Sequence, residues 1–332
     1  MNYFDKFKDV KSVIRYGGSQ THHVLSVVIP TYKKPVSLKR AIESVLQQKN
    51  KSLDFNIVVV ENYEGNVSDV ISMLTQIENP NCTEIVYYQN EKNIGMHPNW
   101  NRAFELANAD YALMVHTDDF LLPQCFYGVE QAIKGDLPAV ILNRMSLRTH
   151  NDLSYKNVAK EQERQLKKEI QKVSFYKENC KDVIIGAVPV APTGFLIKKS
   201  VFISSGGYNT KSHTWPADLE YAFNLIDKDI LYYCSQPLVV KTEGDGNDGS
   251  NLKSTVPLVI NDNDVFYDVA KKNNILFANQ IIGMRMAAIS KVFGIDYDTY
   301  LSGVFPKCYL NKVWLIMYKI IRKIYIKKLE NR

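Results

Sequence analysis

The chain has 332 residues, enough to bury a full core as one large domain or two smaller ones. Apolar residues make up 45% and charged residues 23%, ordinary values that exclude the disordered and fibrous classes. The net charge of +6 is concentrated at one end: residues 307–332 carry eight basic residues and one acid, so the rest sums to about −1 and a basic nucleic-acid binder is disfavoured. No run reaches the roughly eighteen apolar residues of a membrane span, and residues 1–20 hold no uninterrupted apolar stretch of signal-peptide length, so a cytoplasmic location is expected. The five cysteines, Cys82, Cys125, Cys180, Cys234 and Cys308, lack CxxC spacing and read as reduced packing residues.

In chain order, Leu25 to Pro30 is a β-branched run closed by proline, which predicts a buried strand. Residues 37–48 place apolar side chains at 38, 41, 42, 45 and 46, predicting a helix with Ser37 as its cap. A second strand from Phe55 ends in Glu61-Asn62, residues 67–77 predict another helix, and Glu84 to Tyr88 a third strand. A helical stretch through Trp100 to Ala107 leads into a fourth strand, Tyr111 to Val115. Strand and helix repeating at this spacing imply an α/β fold with a mostly parallel central sheet flanked by helices. Ligands of such sheets bind outside the carboxyl ends of the strands. Those ends carry Thr31-Tyr32, Glu61-Asn62, Asn90 to Gly95 and Asp118-Asp119, a polar rim suited to a nucleotide. With no GxGxxG after the first strand and no GxxxxGK[ST], dinucleotide oxidoreductases and P-loop NTPases are poor candidates.

Two adjacent carboxylates at the end of a buried strand are costly unless a cation sits on them, and a divalent metal completed by substrate phosphates is the usual solution. The bland alternative for Asp118 and Asp119 is a turn or a cap for the next helix. Further on, Asp218 begins an apolar-periodic helix, where it could be a general base aimed into a cleft or a plain N-cap favoured by the helix dipole. Residues 241–250 hold three glycines and three acids and predict a mobile loop. The tail from Lys312 to Lys328 mixes bulky apolar residues with lysines and arginines, as interfacial helices do. Packing on a partner subunit, and hence a homo-oligomer, is the competing reading.

Ser26 to Tyr32 (SVVIPTY), Val58 to Asn62 (VVVEN), Asn93-Ile94-Gly95 with Asn101 six residues on, and Thr117-Asp118-Asp119 together resemble the opening domain of family-two glycosyltransferases, inverting enzymes of the GT-A fold. The resemblance implies that Pro30, Thr31, Tyr32, Glu61, Asn93, Gly95, Asn101 and Asp118 bind a nucleotide-sugar donor, a UDP-sugar being favoured. It implies that Asp119 ligates Mn²⁺ or Mg²⁺ on the diphosphate, with Asp218 as the base. Trp215, Tyr208 and Glu220 are expected on the acceptor side, and Lys241, Ser250 and Lys253 are possible lid residues. His116 stands where many relatives have a further Asp, and Ala217 where they have an acid next to the base. The implied acceptor is a glycan, in particular a lipid-linked intermediate of bacterial surface polysaccharide, met at the inner face of the membrane through the tail. The expected organisation is an N-terminal extension (1–24), a donor half (25–125), an acceptor half (126–255) and a C-terminal helical extension (256–332). A sugar-phosphate nucleotidyltransferase and an inactive glycan- or nucleotide-binding module are the alternatives.

Overall fold

The computed structural model describes residues 2–330 except 19–20, 50–51, 149–151, 169, 171, 213 and 244–251. The elements follow as β1 (Ser12–Tyr16), β2 (His23–Thr31), α1 (Pro35–Leu46), β3 (Phe55–Glu61), α2 (Ser68–Gln76), β4 (Ile85–Asn90), α3 (Met96–Leu106), β5 (Ala109–Met114) and β6 (Phe120–Leu121). Then come α4 (Cys125–Lys134), β7 (Ala139–Arg148), α5 (Asp152–Lys167), β8 (Phe175–Lys177), α6 (Cys180–Ile185), β9 (Phe195–Lys198), α7 (Lys199–Ser205), α8 (Ala217–Asp227) and β10 (Leu231–Glu243). Four helices close the chain: α9 (Leu252–Lys272), α10 (Ala278–Phe293), α11 (Tyr297–Tyr300) and α12 (Lys312–Glu330).

All the strands join one sheet in the order β1-β4-β3-β2-β5-β9-β7-β10-β6, with β8 on β10. β4, β3, β2 and β5 are parallel, whereas β9 runs antiparallel between β5 and β7 and carries the sheet from the first half of the chain into the second. The order reverses at β2, with β3 on one side and β5 on the other, so a switch point lies where β2 and β5 end. Both faces of the parallel block are covered, which is why its strands read as continuous apolar runs. Val27, Ile29, Ile57, Val59 and Leu113 join a core under α1, α2 and α4; the alternate residues Val28, Val58, Val60, Ala112 and Met114 join the opposite core with α3, α6, α8, α9 and α10. β1 extends the sheet by pairing antiparallel with β4.

Two helix starts differ from the sequence expectation. α1 begins at Pro35, with Lys34 as N-cap and Ser37 inside the helix. The fixed φ of proline and its missing N–H suit the first helical position better than a hydroxyl cap two residues later. α8 takes Pro216 as its N-cap, so Asp218 sits within the first turn and makes no cap. The basic tail is helical as expected. α12 docks on the carboxyl end of α6, where the Tyr318 hydroxyl donates to the carbonyl of Ile185 (2.9 Å) and Arg322 Nε to that of Gly186 (2.7 Å). Those carbonyls end a helix and need donors, and cations suit them.

Candidate active site

At the end of β3 Glu61 is 1% exposed and accepts from the backbone N–H of Lys33 (3.3 Å) and the Tyr87 hydroxyl (3.5 Å). Burial pushes its carboxyl up, and the surrounding backbone N–H groups pull it back. Above it Tyr32 is exposed and meets Tyr63 edge-on at 6.1 Å, with the Lys33 ammonium 4.1 Å from the Tyr63 ring centre. This is an aromatic surface beside a carboxylate. The rest of the rim is ordered by Asn62, whose Nδ2 donates to Asn93 Oδ1 (2.8 Å) and the Gly95 carbonyl (3.1 Å) while its Oδ1 accepts from the N–H of Ile94 (2.9 Å). Gly95 is the N-cap of α3 at φ +91°, a conformation that favours glycine. Pro30 and Thr31 are buried at the switch point: the Thr117 hydroxyl donates to the Pro30 carbonyl (2.7 Å), and the N–H of Asn62 to the Thr31 carbonyl (2.9 Å).

Past β5 the two carboxylates have different surroundings. Asp118 is half-buried and forms an ion pair with Lys34 (2.8 Å), and its carbonyl accepts from Arg40. Asp119 is 4% exposed; Oδ2 accepts from the Thr193 hydroxyl (2.5 Å) and Oδ1 from the N–H of Thr242 (2.9 Å). Burial pushes its carboxyl up, against the two hydrogen bonds and the charge of Lys241. His116 stacks on Trp100 (ring centres 4.8 Å apart), and its Nε2 is buried without a partner. Burial, with Lys241, His97, Lys34 and Arg144 nearby, lowers its pKa to about 3, so it is a neutral packed ring. The donor set suits a hard divalent ion: each Asp119 oxygen keeps a lone pair, and one or two carboxylates plus phosphate oxygens and water make a magnesium-type shell. No group of three metal-binding side chains occurs among the described residues.

Asp218, in the first turn of α8, is raised by burial and held down by the N–H groups of Leu219 and Asp218 and the charges of Lys241 and Arg144. Lys241 is no lid residue. It lies within β10 in register with Ser146, and its charge acts on His116, Asp119, Asp218 and Asp262. Glu220 accepts through Oε2 from the Trp215 indole N–H (2.8 Å) and Asn209 Nδ2 (2.8 Å), which fixes Trp215 at the mouth of α8.

Two expected contacts are displaced. Tyr208 is 1% exposed inside an aromatic cluster with Trp100, Phe202 and Tyr221, so its ring does not face a ligand. Asn101 is also buried, with Nδ2 donating to the Tyr208 carbonyl (2.9 Å) and Oδ1 accepting from the Tyr208 N–H (2.8 Å). Both ends of its amide are engaged, so it ties α3 to the segment between α7 and α8 and is not free for a donor. Ser250 lies outside the described residues, as does the Lys253 side chain.

Sequence reasoning missed the cations Lys34, Arg40 and Arg144 and the partner Thr242; Asn62 was read as part of the polar rim without its role in ordering it. The Lys33-Lys34 pair after the first strand was a visible signal for one cation. Nothing in residue spacing announces Arg144 on β7, which reaches the cleft through sheet order alone.

The glycosyl transferase family 2 model matches residues 26–203, over half of the chain, and the chain belongs to that family. An uncharacterized glycosyltransferase of Methanocaldococcus jannaschii is 30% identical over 108 residues, 32% of this chain and 36% of that protein. The abequosyltransferase of Salmonella typhimurium is 29% identical over 98 residues, 30% of this chain and 29% of its own. The chain thus aligns with about a third of the length of these curated relatives. Staphylococcus aureus TarS 1–349, solved in complex with UDP-GlcNAc, superposes with a TM-score of 0.52 at 12% identity over 83% of this chain and 74% of that one. At that identity the likeness speaks for the fold alone, which is the GT-A type.

Asn101→Ala removes both partners of a buried peptide unit and is expected to cost about 1–3 kcal/mol, read as a lower urea midpoint with the affinity of the folded protein for UDP within about twofold of wild type. A tenfold loss of UDP affinity at unchanged stability would make Asn101 a donor ligand instead.

Proposed function

We propose that the chain is an inverting glycosyltransferase that moves one sugar from a nucleoside-diphosphate donor, a UDP-sugar in the first instance, to a hydroxyl of a glycan. The observation that carries this reading is the buried carboxylate of Asp119 at the switch point, held by the Thr193 hydroxyl and the N–H of Thr242, the neighbour of Lys241 on β10. The surface of Tyr32, Tyr63 and Glu61 suits a nucleobase and its ribose. Lys34, Arg40 and Lys241 supply positive charge where a diphosphate would lie.

Asp119, with Asp118, would hold Mn²⁺ or Mg²⁺, which supplies charge neutralisation of the departing diphosphate. The acceptor oxygen forms its bond to the anomeric carbon from the face opposite the diphosphate. Its proton passes to the Asp218 carboxylate, and the carbon–oxygen bond to the diphosphate breaks with the electron pair leaving on the nucleotide. A carboxyl raised by burial is a stronger base than an exposed one, while Lys241 and Arg144 favour its ionised form. The acceptor in this reading is a lipid-linked intermediate of bacterial surface polysaccharide, which the GT-A domain would have to meet at the inner face of the membrane. Support comes from α12. Opposite its docked face, Val313, Ile316, Met317, Ile320 and Ile324 are 37–67% exposed at helical spacing, flanked by Lys312, Lys319, Lys323, Lys327 and Lys328. Such an apolar stripe edged with lysines suits an anionic bilayer surface. No helix among the described residues is long and apolar enough to cross a membrane.

With UDP-hexoses and a panel of p-nitrophenyl glycosides as acceptor probes, Asp218→Asn is expected to lower kcat by about 10²–10⁴ with UDP affinity intact. An unchanged rate would remove Asp218 as the base. Full-length protein is expected to sediment with phosphatidylglycerol vesicles and to lose this in Ile316→Glu/Ile320→Glu; equal, poor sedimentation of both, with dimers at equilibrium, would assign the stripe to a subunit contact.

A further inference from the structure

The middle of α9 lies against the start of α8. Asn261 Nδ2 donates to the carbonyl of Thr214 (2.8 Å), in the turn that delivers Trp215 and opens α8. The next residue, Asp262, is part-buried on the same stretch of α9, and the charge of Asp218 acts on it. One helical turn further along α9, Phe266 carries the guanidinium of Arg285 4.1 Å from its ring centre. Arg285 in turn is fixed by donating to the carbonyls of Val183 and Ile184. Asp262, one turn before Phe266 on α9, is thus acted on by the carboxylate of Asp218 and by the guanidinium of Arg285.

The other acidic side chain near Asp218 is committed elsewhere, because Glu220 serves Asn209 and Trp215. Ala217, just ahead of Asp218, is buried and carries no polar group. Asp262 meets charges from three elements, Asp218 on α8, Arg285 on α10 and Lys241 on β10, and among the described residues no hydrogen-bond donor contributes to its state. Such a carboxyl near a base can meet the hydroxyl next to the one the base deprotonates, since saccharides present hydroxyls in adjacent pairs.

We propose that Asp262 is an acceptor-binding residue whose carboxyl hydrogen-bonds the hydroxyl next to the one that Asp218 deprotonates. The inference rests on the transferase reading of Asp218. Burial and the Asp218 charge push Asp262 up to about 7, against the pull of Arg285 and Lys241. Below neutrality it donates a hydrogen bond, and above it only accepts.

Two measurements on the full chain test this. In the transfer assay, Asp262→Asn and Asp262→Ala are expected to raise the KM of the glycoside acceptor about tenfold or more while the Kd for UDP stays within twofold. Unchanged acceptor KM in both variants overturns the proposal. In protein labelled with ¹³C-aspartate, one carboxyl is expected to titrate near neutrality, to vanish in Asp262→Asn and to move down in Asp218→Asn as the like charge is removed. A near-neutral carboxyl that survives Asp262→Asn, or one indifferent to Asp218→Asn, also overturns it. Absence of any turnover by the wild-type protein is a failure of the transferase reading alone, and the titration still decides whether the two carboxyls share one site.

Discussion

The carboxylate of Asp119 is the point on which the two halves of the molecule meet. Burying a charge is tolerated only when its lone pairs and its field are answered. Here one oxygen is answered by the Thr193 hydroxyl ahead of β9 and the other by the N–H of Thr242 on β10. Three chain segments far apart in sequence are thus brought to a single carboxylate at the switch point of the sheet. That convergence places β10, and with it Lys241, beside the polar rim at the strand ends.

Lys241 then acts on both sides. Its charge favours the ionised forms of Asp119, Asp218 and Asp262 while it disfavours a charged His116. Carboxylates there consequently alternate with Lys34, Arg40, Arg144 and Lys241. The asparagines Asn62 and Asn101 do a separate task, fixing the rim and the back of the acceptor side through paired amides that an apolar residue could not supply.

The parallel block was legible because its strands are apolar runs of buried length, each followed by a helix-period segment, and because the polar residues ending them stand at the rim. Glu61, Asp118 and Asp119 stand out as candidates for that reason, and Asp218 because it opens an apolar-periodic helix. The short pieces escaped: β6, β8 and the antiparallel β9 owe their pairing to neighbours distant in sequence, which no local pattern records. For the same reason Tyr208 and Asn101 looked like ligand residues when they are clasped to each other, and Lys241 looked like loop because a glycine-rich run starts three residues later. Asp262 was hidden in a region read only as a helical extension, and it became visible once Asn261 was seen to tie α9 to the turn before α8.

The central claim, a carboxylate-and-cation cleft built for a nucleoside diphosphate, is tested most directly by thermal unfolding of the full chain against a series of nucleotides with and without Mn²⁺. A ligand that binds only the folded state raises the unfolding temperature with the logarithm of its concentration over Kd. UDP is expected to raise it, and Mn²⁺ to enlarge the rise through Asp119. Absence of a shift with every nucleoside diphosphate, in the presence and absence of Mn²⁺, would contradict the account.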